Sequence, residues 1–138
     1  MKTYNVDSNL ILRFLTGAPE NHAKLAAEFF QHGEDGKHLI QISPIVVSEV
    51  VFVLTGKIYG CSRVDVAEQL LQFLSNPSFN VLEFEAMVKT LELFRTHTID
   101  FADAYLAATA QLSGVAVATF DRDFKKVKGL DALILGKK

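Results

Sequence analysis

Short apolar runs alternate along this chain with longer stretches whose hydrophobic positions recur at helical spacing. "TYNVD" reads as a short buried strand ending in Asp7, followed by the apolar helix "NLILRFL". In "GAPENHAKLAAEFFQH", Leu25, Phe29 and His32 recur at helical spacing, with Pro19 and Glu20 suited to a first turn. "HGEDGKH" is a turn in which Gly33 and Gly36 supply permissive backbone, and "LIQI" is a strand. The valines of "SPIVVSEVVFVLTG" would suit a strand, but Ser43 as N-cap, Pro44 as first helical residue and Gly56 as terminator favour a helix. "SRVDVAEQLLQFLSNP" opens with Ser62 three before Asp65 and stops at Pro77, leaving an apolar face that suits a partner. "FNVLEF" is a strand and "EAMVKTLELFRTHT" a helix; "DFADAYLAATAQLSG" is a helix closed by Gly114. "VAVATF" is a strand leading into Asp121, and "ALILG" a last strand.

This alternation indicates an α/β fold with a mainly parallel sheet covered by helices on both faces. With 138 residues and no repeat, linker or low-complexity tract, the chain is expected to form one domain, residues 1–138. No apolar run is long enough to span a bilayer, and residues 1–6 lack a signal-peptide core, so no membrane association is expected; with one cysteine, a reducing cytoplasm is the default. The single Cys61 excludes an intrachain disulfide and any multi-cysteine metal site.

A formal charge of −2, from 14 basic and 16 acidic residues, argues against a protein that coats nucleic acid non-specifically. It does not argue against a nuclease, whose cation site must itself be acidic. Arg122, Lys125, Lys126 and Lys128 cluster beside Asp121 and Asp123, with Lys137 and Lys138 at the tail.

Ligands of open α/β sheets gather beyond the carboxyl ends of the strands, which directs attention to the acids expected there. Asp7 and Asp121 follow two strands, and Asp100 and Asp103 head the helix that feeds the second of these. Each acid also has a plain structural reading. Asp7 suits an N-cap, Asp121 a turn, and Asp123 a turn or surface position. Asp100 as N-cap with Asp103 in the first turn would satisfy free amides and the helix dipole. Glu49 has Ile45, Val46, Phe52 and Val53 as its helical neighbours, so it lies on a face expected to pack on the sheet. It then either meets a cation or snorkels to solvent. Four acids from four segments at one sheet edge would repel one another unless cations neutralised them, and hard carboxylate oxygens select magnesium or manganese. Sites of that kind serve phosphodiester chemistry.

In order and setting, Asp7 after the first strand, Glu49 in "SEVVFVL", Asp103 in "DFADAYLAATA" and Asp121 in "ATFDRDF" resemble the acidic quartet of PIN-domain ribonucleases. The resemblance runs over nearly the whole chain and is nearest the small VapC-type toxins of toxin–antitoxin pairs. It implies a PIN-like, three-layer α/β/α fold with about five strands and an Mg2+- or Mn2+-dependent endoribonuclease. Asp7, Asp103 and Asp121 would be metal ligands, with Glu49 acting directly or through water. An activated water would attack phosphorus in line and expel the 3′ oxygen. Asp100, Thr119 and Asp123 would assist from outside the ligand set, Thr119 having structural packing as an equal alternative; Arg122, Lys125 and Lys126 would contact the RNA backbone or form a plain solvated surface. The resemblance further implies a homodimer restrained by a cognate antitoxin.

Three other readings are available. A receiver-type phosphorylation switch needs a phospho-acceptor Asp after a central strand, where "FNVLEF" offers only Glu83 and Glu85. A haloacid-dehalogenase-type phosphatase needs Asp-x-Asp after the first strand, and Asp7-Ser8-Asn9 lacks the second acid. A catalytically silent binding module of the same fold is the strongest rival.

Overall fold

In the computed structural model, which describes residues 1–136, helices start at Pro44 and after Ser62 and one ends before Gly114, as the sequence expects. Among the described residues five strands and six α-helices occur, helices falling in pairs between the first four strands, and each strand pairing is parallel. The chain divides into two compact units, Met1–Cys61 with Gln72–Glu83, and Ser62–Leu71 with Phe84–Lys138. Lys137 and Lys138, counted above with the basic cluster, lie outside the described residues.

The first unit is built on a three-stranded sheet of order β1-β2-β3: β1 Thr3–Asn5, β2 Leu39–Ile42 and β3 Phe79–Val81. Tyr4 lies opposite Ile40, and Ile40 opposite Phe79. The middle strand is the buried one, Ile40 and Ile42 being wholly inaccessible. β1 was expected to be buried, but all three of its residues are exposed, because it forms an edge of this sheet; only the following Val6 is buried.

Three helices complete this unit: α1 Ser8–Thr16, α2 Glu20–Glu34 and α3 Pro44–Thr55. The buried face of α2 is Ala26, Phe30 and Gly33, one position on from the expected Leu25, Phe29 and His32. Leu25 is 62% exposed. Gly33, expected in the turn, belongs to the helix; a Cβ there would collide with the Ile40 side chain, so the glycine lets the helix lie against β2. The turn itself rests on Gly36, whose φ of 79° is one that side chains avoid. Phe30, Phe73 and Phe79 form a ring cluster with centroids 5.0–5.7 Å apart, joined by Phe14.

α4 Arg63–Leu74 starts in the second unit and ends in the first. The Ser62 hydroxyl accepts a hydrogen bond from the Asp65 amide at 3.0 Å, as its spacing predicts. Val66, Ala67, Leu70, Phe73 and Leu74 are buried, so the apolar face assigned above to a partner is consumed within the chain.

The second unit pairs α5 Phe84–Thr96 with α6 Phe101–Ser113 and carries β4 Val117–Thr119 and β5 Ala132–Ile134. These two strands pair with each other, Ala118 opposite Leu133, so the five strands fall into ladders of three and two. Met87, Thr90, Leu91 and Phe94 give α5 one buried stripe. Ala104, Ala107, Ala108 and Ala110 of α6 are buried as well. Small side chains here allow close approach, as expected, but α6 packs chiefly along α5 and only secondarily on β4. Gly114, at a φ of 71°, closes α6 with its amide directed at Ala110 and Gln111.

Candidate functional site

The acids follow strand ends in both units. In the first unit, Asp7 stands two residues past β1 and caps α1, its Oδ1 accepting the Leu10 amide at 3.0 Å. The structural reading of Asp7 therefore holds, and it leaves Oδ2 without a hydrogen bond among the described residues. Ser43 opens α3 by position but makes no cap hydrogen bond through its side chain.

Glu49 is on α3, on the face opposite the one expected. The helix buries Val47, Val50, Val51 and Leu54, while Glu49 is exposed between Ile45 and Phe52, each 78% exposed. α3 is apolar almost all round, so hydrophobic pattern alone did not identify the side that packs. Glu49 is thus a solvated carboxylate on an exposed apolar stripe.

In the second unit, three hydrogen-bonding groups in succession organise the end of β4. The Thr119 hydroxyl accepts the Asp121 amide at 2.9 Å, and Asp121 Oδ1 accepts the Asp123 amide at 2.8 Å. Asp123 Oδ1 in turn meets the Lys126 ammonium at 3.1 Å. Asp121 is the N-cap of a 3-10 turn over Arg122–Lys126, as its turn reading predicts. Thr119 fixes the backbone of the acid. Arg122, Lys125 and Lys126 are all exposed, Lys126 also pairing with Asp123.

At the head of α6, Asp100 occupies the N-cap position but makes no side-chain cap hydrogen bond, contrary to the capping role expected of it. Asp103 is half-buried in the first turn. Burial holds its carboxyl above the ordinary carboxylate range, and the negative charges of Asp100, Asp121 and Asp123 add to the effect. The second unit therefore brings these four acids within electrostatic reach of one another. Among the described residues no three His, Cys, Asp or Glu side chains form a ready-made metal ligand group. The donor chemistry nonetheless suits a hard divalent cation, because carboxylate oxygens are its preferred ligands and its charge would offset the repulsion among these acids.

One residue of this region escaped the sequence reading. Arg63 Nη1 donates to the carbonyls of Phe94, His97 and Ile99 at 3.0, 2.9 and 2.8 Å, and the guanidinium lies 4.2 Å over the Phe94 ring. A signal was present: an arginine in the first turn of a helix opposes the helix dipole, which suggests employment elsewhere.

In each unit a parallel strand leads into an aspartate, and in the second unit further acids head the preceding helix; such strand-end acids mark a class of α/β proteins. The chain belongs to the PIN-domain family, whose model matches residues 4–130 and so takes in Asp7, Glu49, Asp103 and Asp121. It is 25% identical over 123 residues to a VapC ribonuclease of Aquifex aeolicus (strain VF5), a match covering 88% of this chain and 90% of that protein. The crystal structure of VapBC2 from Rickettsia felis bound to a DNA fragment from their promoter also matches, at 18% identity and a TM-score of 0.38. That match covers 94% of this chain and 96% of the other. The resemblance to PIN domains read from the four acids is thus met by the family model.

Proposed function

We propose that this protein is a divalent-metal-dependent endoribonuclease, the toxin of a VapBC-type pair, and that Asp7, Glu49, Asp103 and Asp121 act together in it. The observation that carries the reading is family membership over residues 4–130, a span that retains all four acids in the family's order. The relative named VapC ribonuclease supports RNA as the substrate class. The resemblance further supports a cytoplasmic homodimer held inactive by a cognate antitoxin; no helix among the described residues is long and apolar enough to cross a membrane.

A bound Mg2+ or Mn2+ would supply positive charge at the scissile phosphate and acidify a water molecule. The chain's own residues prepare the place for it. Backbone amides hold one oxygen of Asp7 and one of Asp121, fixing each carboxylate plane and leaving the second oxygen for a ligand. Asp103 would serve as a ligand among the charges of Asp100, Asp121 and Asp123, which a cation would offset. Glu49, solvated on α3, acts on the ion directly or through a water molecule. Arg122, Lys125 and Lys126, exposed and close in sequence to Asp121, would meet phosphate oxygens, and Asp123 and Thr119 would act from outside by holding that turn.

The test is cleavage of a mixed RNA substrate with Mg2+ or Mn2+ and in excess chelator. Cleavage that requires the metal and disappears in Asp103→Asn supports the reading. Full activity in that variant defeats the site, and a folded wild-type chain that binds RNA without cutting it points instead to a silent binding module.

A further inference from the structure

We infer that Arg63 is a positioning residue for the acids at the head of α6, an assignment that rests on the nuclease reading above. The last turn of a helix leaves carbonyls without intrahelical partners, and a basic side chain can satisfy them. Arg63 does this for Phe94, in the last turns of α5, and then continues past the helix end to His97 and Ile99. The two hydrogens of one nitrogen, Nη1, are shared among three carbonyls, which draws those carbonyls around a single point.

The Ile99 carbonyl matters most, because its peptide unit is the one that enters Asp100. Fixing that plane fixes the direction in which the chain enters α6, and hence where Asp100 and Asp103 stand. The Asp100 side chain contributes no cap hydrogen bond to this turn, so the turn depends on other contacts. Phe101 supplies one of them, its ring edge-on to Phe94 at 5.8 Å, and Phe94 is the ring on which the guanidinium lies. Arg63, Phe94 and Phe101 therefore join the end of α5 to the first turn of α6. Arg63 pairs with no carboxylate among the described residues, so it acts by geometry and not by neutralising the acids.

The experiment uses the full chain and reads Mn2+ affinity from the spin-resonance signal of free Mn2+, alongside hydrogen exchange of the 101–104 amides without metal. Arg63→Ala is expected to weaken Mn2+ binding about 10- to 100-fold, the usual range for residues that orient ligands. It should also speed exchange in that turn. Arg63→Lys should be intermediate, keeping donors but losing the flat stack on Phe94. Free guanidinium ion at a non-denaturing concentration should restore part of the affinity lost in Arg63→Ala. Arg95→Ala is the control for simple loss of stability, since Arg95 lies on α5 and its ion pair among the described residues is with Glu68, at 4.0 Å. Wild-type Mn2+ affinity in a folded Arg63→Ala chain would overturn the inference, as would an equal loss in Arg95→Ala. A wild-type chain that neither binds Mn2+ nor cuts RNA would instead defeat the nuclease reading and the assignment with it.

Discussion

Asp7 holds two roles that substitution can separate. As N-cap it accepts one hydrogen bond, from the Leu10 amide at 3.0 Å, at an exposed helix start. Asn and Ser cap about as well as Asp, whereas Ala does not, and losing a cap costs about 0.5–2 kcal/mol. Because this bond is solvent-exposed, the lower half of that range applies, about 1 kcal/mol for Asp7→Ala. Asp7→Asn keeps the bond and loses only the charge at the helix N-terminus, about 0.3–1 kcal/mol. In a chain of 138 residues, 1 kcal/mol corresponds to a melting shift of about 4 °C. Thermal melts should thus rank wild type, then Asn and Ser, then Ala. Cleavage should rank differently, with all three variants inactive, because none retains a carboxylate. The decisive comparison is Asp7→Asn, which should be nearly as stable as wild type and unable to cut. An active Asp7→Asn would leave the residue as a cap and nothing more; an Asp7→Ala chain as stable as Asp7→Asn would show that the cap bond contributes nothing.

Asp103 carries a pH dependence whose sign follows from its raised pKa. In the interval from the ordinary value of 3.8 up to the raised one, the folded chain binds more protons than the unfolded chain, so stability falls as pH rises. Urea midpoints across that interval should fall less steeply with pH in Asp103→Asn, and a parallel fall would refute the cause. Asp100→Asn should impair cleavage less than Asp103→Asn; the reverse order in a rate assay would exchange their roles. Glu49→Gln should lose cleavage with its melting temperature unchanged, since the side chain is exposed on α3, and a large loss of stability would contradict that placement. Gly33→Ala sets a helix-propensity gain of about 1 kcal/mol against overpacking of about 1–3 kcal/mol on Ile40. A net loss of about 1 kcal/mol should appear in denaturant melts and vanish in an Ile40→Val background; equal losses in both would place the strain elsewhere.

Element order was legible in the sequence because its punctuation is local. Ser62, Pro44 and Gly114 mark helix boundaries through short-range hydrogen bonds and permitted backbone angles, and helices begin or end at each. Facing was less legible. α2 packs one position round from the expected stripe because Gly33, which reads as a turn residue, is where the helix touches β2. α3 offers valine on nearly every side, so the side that packs is decided by the sheet and not by the helix. The pairing of β4 with β5 apart from β1, β2 and β3 is a long-range outcome that strand pattern does not encode.

The structural and catalytic readings of the acids, weighed against each other in the sequence, prove compatible at two positions. Asp7 and Asp121 each cap the turn that follows a parallel strand, and a cap bond occupies only one carboxylate oxygen. An aspartate held that way keeps a fixed plane at the strand's carboxyl end, where an open α/β sheet binds its ligands. A cap bond of this kind leaves room for the ligand role proposed above. It also means that stability alone cannot reveal the chemistry, since Asn would preserve the one while removing the other. Asp103 differs: no cap bond offsets its burial, and its neighbours Asp100, Asp121 and Asp123 oppose its charge. Of the acids in the second unit, Asp103 has a pKa raised by burial and by neighbouring charge, so it is the one there to test first.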